Sequence, residues 1–410
     1  MPENITIESS TLNTTVKESS LKIFLRFLRF GFLAWGGPVA QIAMIKRELV
    51  EEEKWISKER FNRALAVYQV LPGPEAHEMC VYFGMIAGGR WGGFLAGLGF
   101  MLPGFIFMLL LTWFYIAFGI KSPLILAVFT GFQAAVIALI VAAVHRIGKH
   151  AVTNYKLGVI AAVSAVSYFV GVHFLLILPL AGAAYIFWMR KQVIVPALLG
   201  VAILVYAGFL FSPELFQSSV KQIAGTTASG FHQGSPWQIF LSGLKGGLLT
   251  FGGAYTVIPF MQQDAVINQH WMTNEQFLDG FALSGILPAP LIIFSTFIGY
   301  FGGGWLGAVI ITFAIFLPSF AFTLVGFNVM ERIISNTALH NFLDGVTAGV
   351  IGIIAITALQ LFRTTINDRF LLAIFAVSLV VIYKYKTKFT VIYVILGSGI
   401  LSLLWFLLSQ

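Results

Sequence analysis

Shifted by 216 positions, residues 31–74 of this 410-residue chain align without a gap onto residues 247–290, and 13 of the 44 pairs are identical. The identities include Gly36/Gly252, Gly37/Gly253, Trp55/Trp271, Glu59/Glu275, Phe61/Phe277, Leu71/Leu287, Pro72/Pro288 and Pro74/Pro290. With a slip of one or two residues the echo runs on through Gly88-Gly89/Gly303-Gly304, Trp91/Trp305, Leu102-Pro103/Leu317-Pro318, Gly131/Gly345 and Val136/Val350. Shared apolar composition explains similar hydropathy but not collinear Trp, Glu and Pro. The chain therefore reads as two copies of one unit.

Composition supplies the solvent. With 58% hydrophobic and 10% charged residues, the expected class is an all-α polytopic membrane protein whose length makes two helical bundles. Residues 1–20 are polar and read as a disordered tail, 21–193 as the first repeat, 194–237 as a connecting span and polar linker, and 238–410 as the second repeat. A net charge of +8 marks cytoplasmic loops rather than a nucleic-acid partner. The single cysteine, Cys80, excludes internal disulfides and paired-thiol metal sites. The phosphate-binding Gly-x4-Gly-Lys-Ser/Thr loop and the Gly-x-Ser-x-Gly elbow are both missing, which argues against ATP-driven pumping by this chain and against acyl transfer. No cofactor and no enzymatic role are expected.

Charge also orients the repeats. The loop 46–63 carries Lys46, Arg47, Lys54, Lys58, Arg60 and Arg63, whereas its counterpart 262–279 carries no Lys or Arg. Basic loops stay on the cytoplasmic side, so equivalent loops should face opposite sides and the repeats should be inverted. A topology with a cytoplasmic N-terminus and re-entrant glycine-proline segments places 20 of the 25 Lys and Arg inside, four outside and Lys245 in the membrane.

Within the apolar stretch Ala64–Ala87 lies Leu71-Pro72-Gly73-Pro74-Glu75-Ala76-His77-Glu78, two helix-breaking prolines followed by three ionisable side chains. Broken backbone and charge at membrane depth are tolerated only inside protein or along a polar cavity. Leu287-Pro288-Ala289-Pro290 repeats the break. A helix is expected to start near Lys58 with Ser57 as N-cap, break at Pro72-Gly73-Pro74, restart, and end at Gly88-Gly89; apolar segments follow at 91–118, 124–145, 157–171, 173–189 and 194–211. Inverted repeats with discontinuous helices are the pattern of secondary transporters, which bind substrate where the repeats meet.

A helix restarted at depth offers unpaired amides and the positive end of its dipole, so a small anion is the expected substrate. The candidate binding set is Gly36, Gly37, Pro72, Gly73, Pro74, Gly252, Gly253, Pro288, Ala289 and Pro290, with the cations Arg29 and Lys245 seven residues before their glycine pairs. Both cations could instead snorkel to the interface, the favoured reading for Arg29. Glu75, His77 and Glu78 have only Leu291, Ile293 and Phe294 opposite them, and this asymmetry points to proton coupling. The plainer alternative is a helix cap at Glu75 and a core histidine at His77. A Glu-x-His-Glu metal site lacks a fourth ligand, so no metal is expected.

Phe30-Gly-Phe-Leu-Ala-Trp-Gly-Gly-Pro38, Leu71-Pro-Gly-Pro-Glu75, Trp91-Gly-Gly93, Leu102-Pro103 and Thr250-Phe-Gly-Gly-Ala-Tyr255 together resemble the chromate ion transporter family in its long, two-domain form. The resemblance implies export of chromate across the cell membrane, driven by the membrane potential or proton gradient, with sulfate as a similar oxyanion. Two departures lie at the breaks: Ser284-Gly-Ile-Leu-Pro-Ala-Pro290 replaces a second Pro-Gly-Pro, and His77 stands where a polar amide such as Gln is expected. A passive anion channel and a membrane-embedded enzyme using Glu75, His77 and Glu78 are the competing readings. Expected partners are the oxyanion and membrane lipid, with homo-oligomerisation left open.

Overall fold

The computed structural model describes residues 16–69, 71–192, 233–251, 253–334 and 337–409. Most of the expected tail, the expected span at 194–211 and Gly252 lie outside the described residues. The rest is helical and contains no strand, the all-α polytopic membrane fold that composition predicts. In chain order the helices are α1 (Ser20–Phe32), α2 (Gly37–Ile45), α3 (Lys58–Tyr68), α4 (Glu75–Ala117), α5 (Pro123–Ala151), α6 (Tyr155–Phe169) and α7 (Phe174–Met189). The second set is α8 (Pro236–Leu248), α9 (Ile258–Gln262), α10 (Asn274–Gly285), α11 (Ser295–Ile334), α12 (Thr337–Thr365), α13 (Arg369–Lys384) and α14 (Thr390–Leu408). Helices α2 and α9 each run into a wider π-helical turn, Lys46–Glu52 and Gln263–Asn268. Among the described residues, five helical segments are long and apolar enough to cross a membrane: Glu75–Ala117, Pro123–Ala151, Leu291–Gly326, Thr337–Thr365 and Thr390–Leu408.

Helix starts follow local chemistry. Ser57 Oγ accepts from Arg60 N at 3.2 Å, so α3 begins where the sequence predicts. The equivalent start, at α10, is a reciprocal capping box: Thr273 Oγ1 accepts from Gln276 N at 3.3 Å, and Gln276 Oε1 accepts from Thr273 N at 2.9 Å.

Contacts between residues far apart in sequence show where the chain reverses. Arg60 Nε donates to Tyr82 Oη at 3.0 Å across 22 residues, a separation of about 33 Å on a straight helix. The rings of Phe61 and Phe83 lie 6.3 Å apart, and in the second repeat those of Phe277 and Phe294 lie 5.6 Å apart. Each proline break is therefore a hairpin that sends the chain back the way it came. A second reversal follows at each double glycine. Gly89 takes φ +64° and ψ −159°, and Gly304 takes φ +61° and ψ −150°, a left-handed conformation that glycine adopts without strain. Beyond it, a Cβ on Gly84 would stand 2.5 Å from the carbonyl oxygen of Gly92, so α4 is two antiparallel helices rather than one rod of 43 residues.

The second parts of the repeats interleave. Helix α5 packs on α13 and α14, while α12 packs on α6 and α7. The crossings are close because the residues are small. A side chain at Gly131 would collide with the Ser398 carbonyl, and one at the equivalent Gly345 would stand 2.5 Å from the Ala181 carbonyl. The main apolar core runs through both repeats, from Val81 to Ile395, and a second core lies under α1 to α3 and the first part of α4.

Candidate substrate site

Each proline break is seated on the glycine loop of the other repeat. Gly73 N donates to the Thr250 carbonyl at 2.9 Å. Reciprocally, buried Gln41 spans the Ala34 carbonyl, at 2.9 Å, and the Ala289 carbonyl, at 3.2 Å. The inner half of the opposite long helix backs each break: a Cβ on Gly73 would lie 3.3 Å from Ser319 Cβ, and Gly104 presses on Ala289. The structure thus brings Pro72, Gly73 and Pro74 and Pro288, Ala289 and Pro290 to one central region between the repeats. Pro74 adopts an extended conformation and acts as N-cap of α4 without a side-chain cap; its carbonyl accepts from His77 N at 2.8 Å and from Glu78 N at 3.1 Å. Glu75 is the first residue of that helix, not its cap.

The glycine loops differ in openness. Gly36 and Gly37 adopt φ +89° and +76°, and Gly253 adopts φ +125°. A side chain at Gly36 would strike Lys388 at 2.8 Å, whereas a Cβ at Gly37 or Gly253 meets nothing within 4 Å. Free space beside a backbone amide is what a close-approaching ligand needs.

The three ionisable residues after the first break sit differently from one another. His77 and Glu78 are fully buried, and Glu75 is half-buried. His77 Nδ1 is 2.5 Å from Ser319 Oγ, and its ring packs 4.8 Å from Phe316 and 4.7 Å from Phe320. Among the described residues neither carboxylate oxygen of Glu78 has a hydrogen-bond partner, and one lies 2.7 Å from where a Cβ on Gly73 would be. Among the described residues no cluster of three or more His, Cys, Asp or Glu could hold a metal ion.

Arg29 and Lys245, candidates for the substrate site or for snorkelling, are both paired with carboxylates. Arg29 contacts Glu48, and Lys245 Nζ is 3.2 Å from Asp264 Oδ2. Glu48 and Asp264 are themselves 216 residues apart, so the ion pair is part of the repeat. Sequence reading treated Lys245 as isolated because its partner lies 19 residues away, beyond the reversal at the glycine loop.

Four functional candidates were not anticipated: Gln41, Ser319, Asp264 and Asp279. Asp279 stands inside α10, 2% exposed, where it accepts hydrogen bonds from Tyr115 Oη at 2.6 Å and from Gln133 Nε2 at 2.9 Å. The segment 262–279 is not an open loop, since Gln262, Asp264 and Asp279 are all buried. The available signal for Asp279 was its position as a lone acid among Phe277, Leu278, Phe281 and Leu283.

The profile of the chromate transporter family matches residues 21–188 and again residues 237–403. The chain belongs to the chromate transporter family. It is 50% identical over 389 residues to a chromate transport protein of Pseudomonas aeruginosa, covering 94% of this chain and 92% of that one. Identity to a chromate transport protein of Cupriavidus metallidurans is 30% over 393 residues, 92% of each chain. A probable chromate transport protein of Synechococcus elongatus is 29% identical over 351 residues, covering 83% of this chain and 84% of that relative. No solved structure matches. Membership places the chain among integral membrane transporters rather than enzymes, and the two profile matches coincide with the two sets of helices.

Proposed function

We propose that this protein carries chromate out of the cell across the plasma membrane in exchange for protons, with sulfate as a chemically similar competitor. The observation that carries the reading is the reciprocal seating of two helix breaks on two glycine loops. Helices that begin at depth aim amides and positive dipole ends at one place, and a compact oxyanion is the ligand that satisfies them. The binding set is Gly36, Gly37, Pro72, Gly73, Pro74, Gly252, Gly253, Pro288, Ala289 and Pro290. Arg29 and Lys245 join it as cations that exchange their carboxylate partners for substrate. Glu75, His77 and Glu78 carry the coupled proton, because charged and polar groups buried at one break and absent from the other serve something other than symmetric binding.

The repeats are proposed to be inverted in the membrane, with the N-terminus in the cytoplasm. Six Lys or Arg in 46–63 against none in 262–279 support this orientation. The test is chromate flux in proteoliposomes with and without an imposed pH gradient. Saturable flux that follows the gradient and is reduced by sulfate is expected. Unsaturable flux indifferent to the gradient would replace the transporter with a passive anion channel.

A further inference from the structure

Polar atoms continue from Glu78 away from the substrate site. Tyr68, the last residue of α3, is 1% exposed, and its hydroxyl lies beside that of fully buried Thr323 on α11 without forming a well-aligned bond. Glu78 and Tyr82 are within electrostatic reach of the same hydroxyl. Tyr68 Oη, Thr323 Oγ1 and both carboxylate oxygens of Glu78 have no hydrogen-bond partner that meets ordinary geometry among the described residues. Buried polar atoms in folded proteins are almost always bonded to protein or to ordered water. The Tyr68 and Thr323 hydroxyls, side by side, and the Glu78 carboxylate within electrostatic reach of Tyr68 form a buried polar set that ordered water can bridge.

From this cluster the row runs outward. The rings of Tyr68 and Tyr82 are 6.1 Å apart, and Tyr82 Oη accepts from Arg60 Nε at 3.0 Å. Arg60 is partly exposed, at the start of α3 within the basic segment 46–63. Inward, Glu78 touches Gly73, which backs onto Ser319, the partner of His77. Glu75 from its own helix and Tyr68 from α3 lie within electrostatic reach of Glu78, and Ser319 of α11 borders the Gly73 that Glu78 touches. The second repeat has no such row: Ser284, Phe294 and Met108 stand where Tyr68, Glu78 and Thr323 would be, and Ser284 is bonded to the Phe281 carbonyl.

We propose that Tyr68 and Thr323 line a hydrated proton-release route joining Glu78 to the protein face that bears Arg60. The protonated Glu78 carboxyl gives its proton to water, is left as the carboxylate, and the protonated water carries the proton to that face. Each hydroxyl on the way gives up one proton as it accepts another, so no net charge stays on it. The inference rests on the proton-coupled reading above and adds the side to which protons are released.

The experiment uses the full chain in proteoliposomes with an entrapped pH dye and a chromate gradient. Tyr68→Phe keeps the ring and Thr323→Val keeps the shape, so each removes little more than a hydroxyl; two variants guard against loss of either one to misfolding. Chromate-dependent proton movement is expected to slow at least tenfold in both, while chromate–chromate exchange, which needs no net proton, stays within twofold of the unaltered protein. Wild-type rates of proton movement in both variants would overturn the route and leave the coupling standing. An unaltered protein that moves chromate without protons, or with sodium instead, would overturn the coupling and the route together.

Discussion

Asp279 offers the sharpest test of the tertiary arrangement, because its two hydrogen bonds join α10, which leads into the second break, to α4 and α5. Replacing it by Ala leaves the Tyr115 hydroxyl and the Gln133 amide without their acceptor in a buried setting. At about 1–3 kcal/mol per stranded group, Asp279→Ala should cost about 2–6 kcal/mol. Tyr115→Phe removes one buried hydrogen bond, about 0.5–1.5 kcal/mol. In the double variant the Tyr115 hydroxyl is no longer present to be stranded and the bond between the two residues is not lost a second time, so its cost should fall short of the sum of the singles by about 1.5–4.5 kcal/mol. Asp279→Asn should be milder than Ala, since the amide oxygen still accepts from Gln133 and the amide nitrogen can donate to Tyr115. The measurement is equilibrium unfolding of the unaltered protein and the four variants in mixed micelles. Additivity within about 0.5 kcal/mol would show that Tyr115 and Asp279 do not interact and would refute the placement of α10.

Other expectations concern the site and its edges. Gly73→Ala forces a side chain at φ +152° to within 2.7 Å of Glu78 Oε1, so stability should drop by about 1–3 kcal/mol and chromate flux should fall, whereas a flux like that of the unaltered protein would remove Gly73 from the site. Lys245→Ala should raise the chromate concentration for half-maximal flux and Asp264→Asn should lower it; no change in either assigns the pair to packing α8 against its neighbouring turn. Outside the membrane, burial alone would push the Glu18 carboxyl up, but Lys22 at 2.8 Å and Arg26 at 2.9 Å hold it below the usual carboxylate range. A depressed folded value means that this stabilisation is present above the ordinary value of 4.5 and lost as pH falls through the folded value. Glu18→Gln should therefore melt lower than the unaltered protein at pH 7, with the gap closing as the pH falls below 4.5, and a pH-independent gap would show that the ion pairs are not its source.

Sequence alone determined the class, the duplication and several helix starts, Lys58 among them. These are local or periodic properties: apolar content selects a membrane, Pro and double Gly interrupt helices wherever they occur, and Ser57 caps α3 whatever packs on it. The two breaks were legible for the same reason, and so was the imbalance that puts Glu75, His77 and Glu78 at only one of them. The tertiary structure decided the pairings. Lys245 looked alone until the reversal at its glycine loop delivered Asp264. Asp279 read as the end of a polar segment until α4 and α5 supplied Tyr115 and Gln133 from 164 and 146 residues away. Gln41 and Ser319 carried no sequence signal, because each acts on the other repeat, at Ala289 and at His77. The seating of each break on the opposite glycine loop is likewise a contact across more than 170 residues. Such contacts depend on two close-packed repeats meeting in a fixed register, and no local pattern in the chain encodes that meeting.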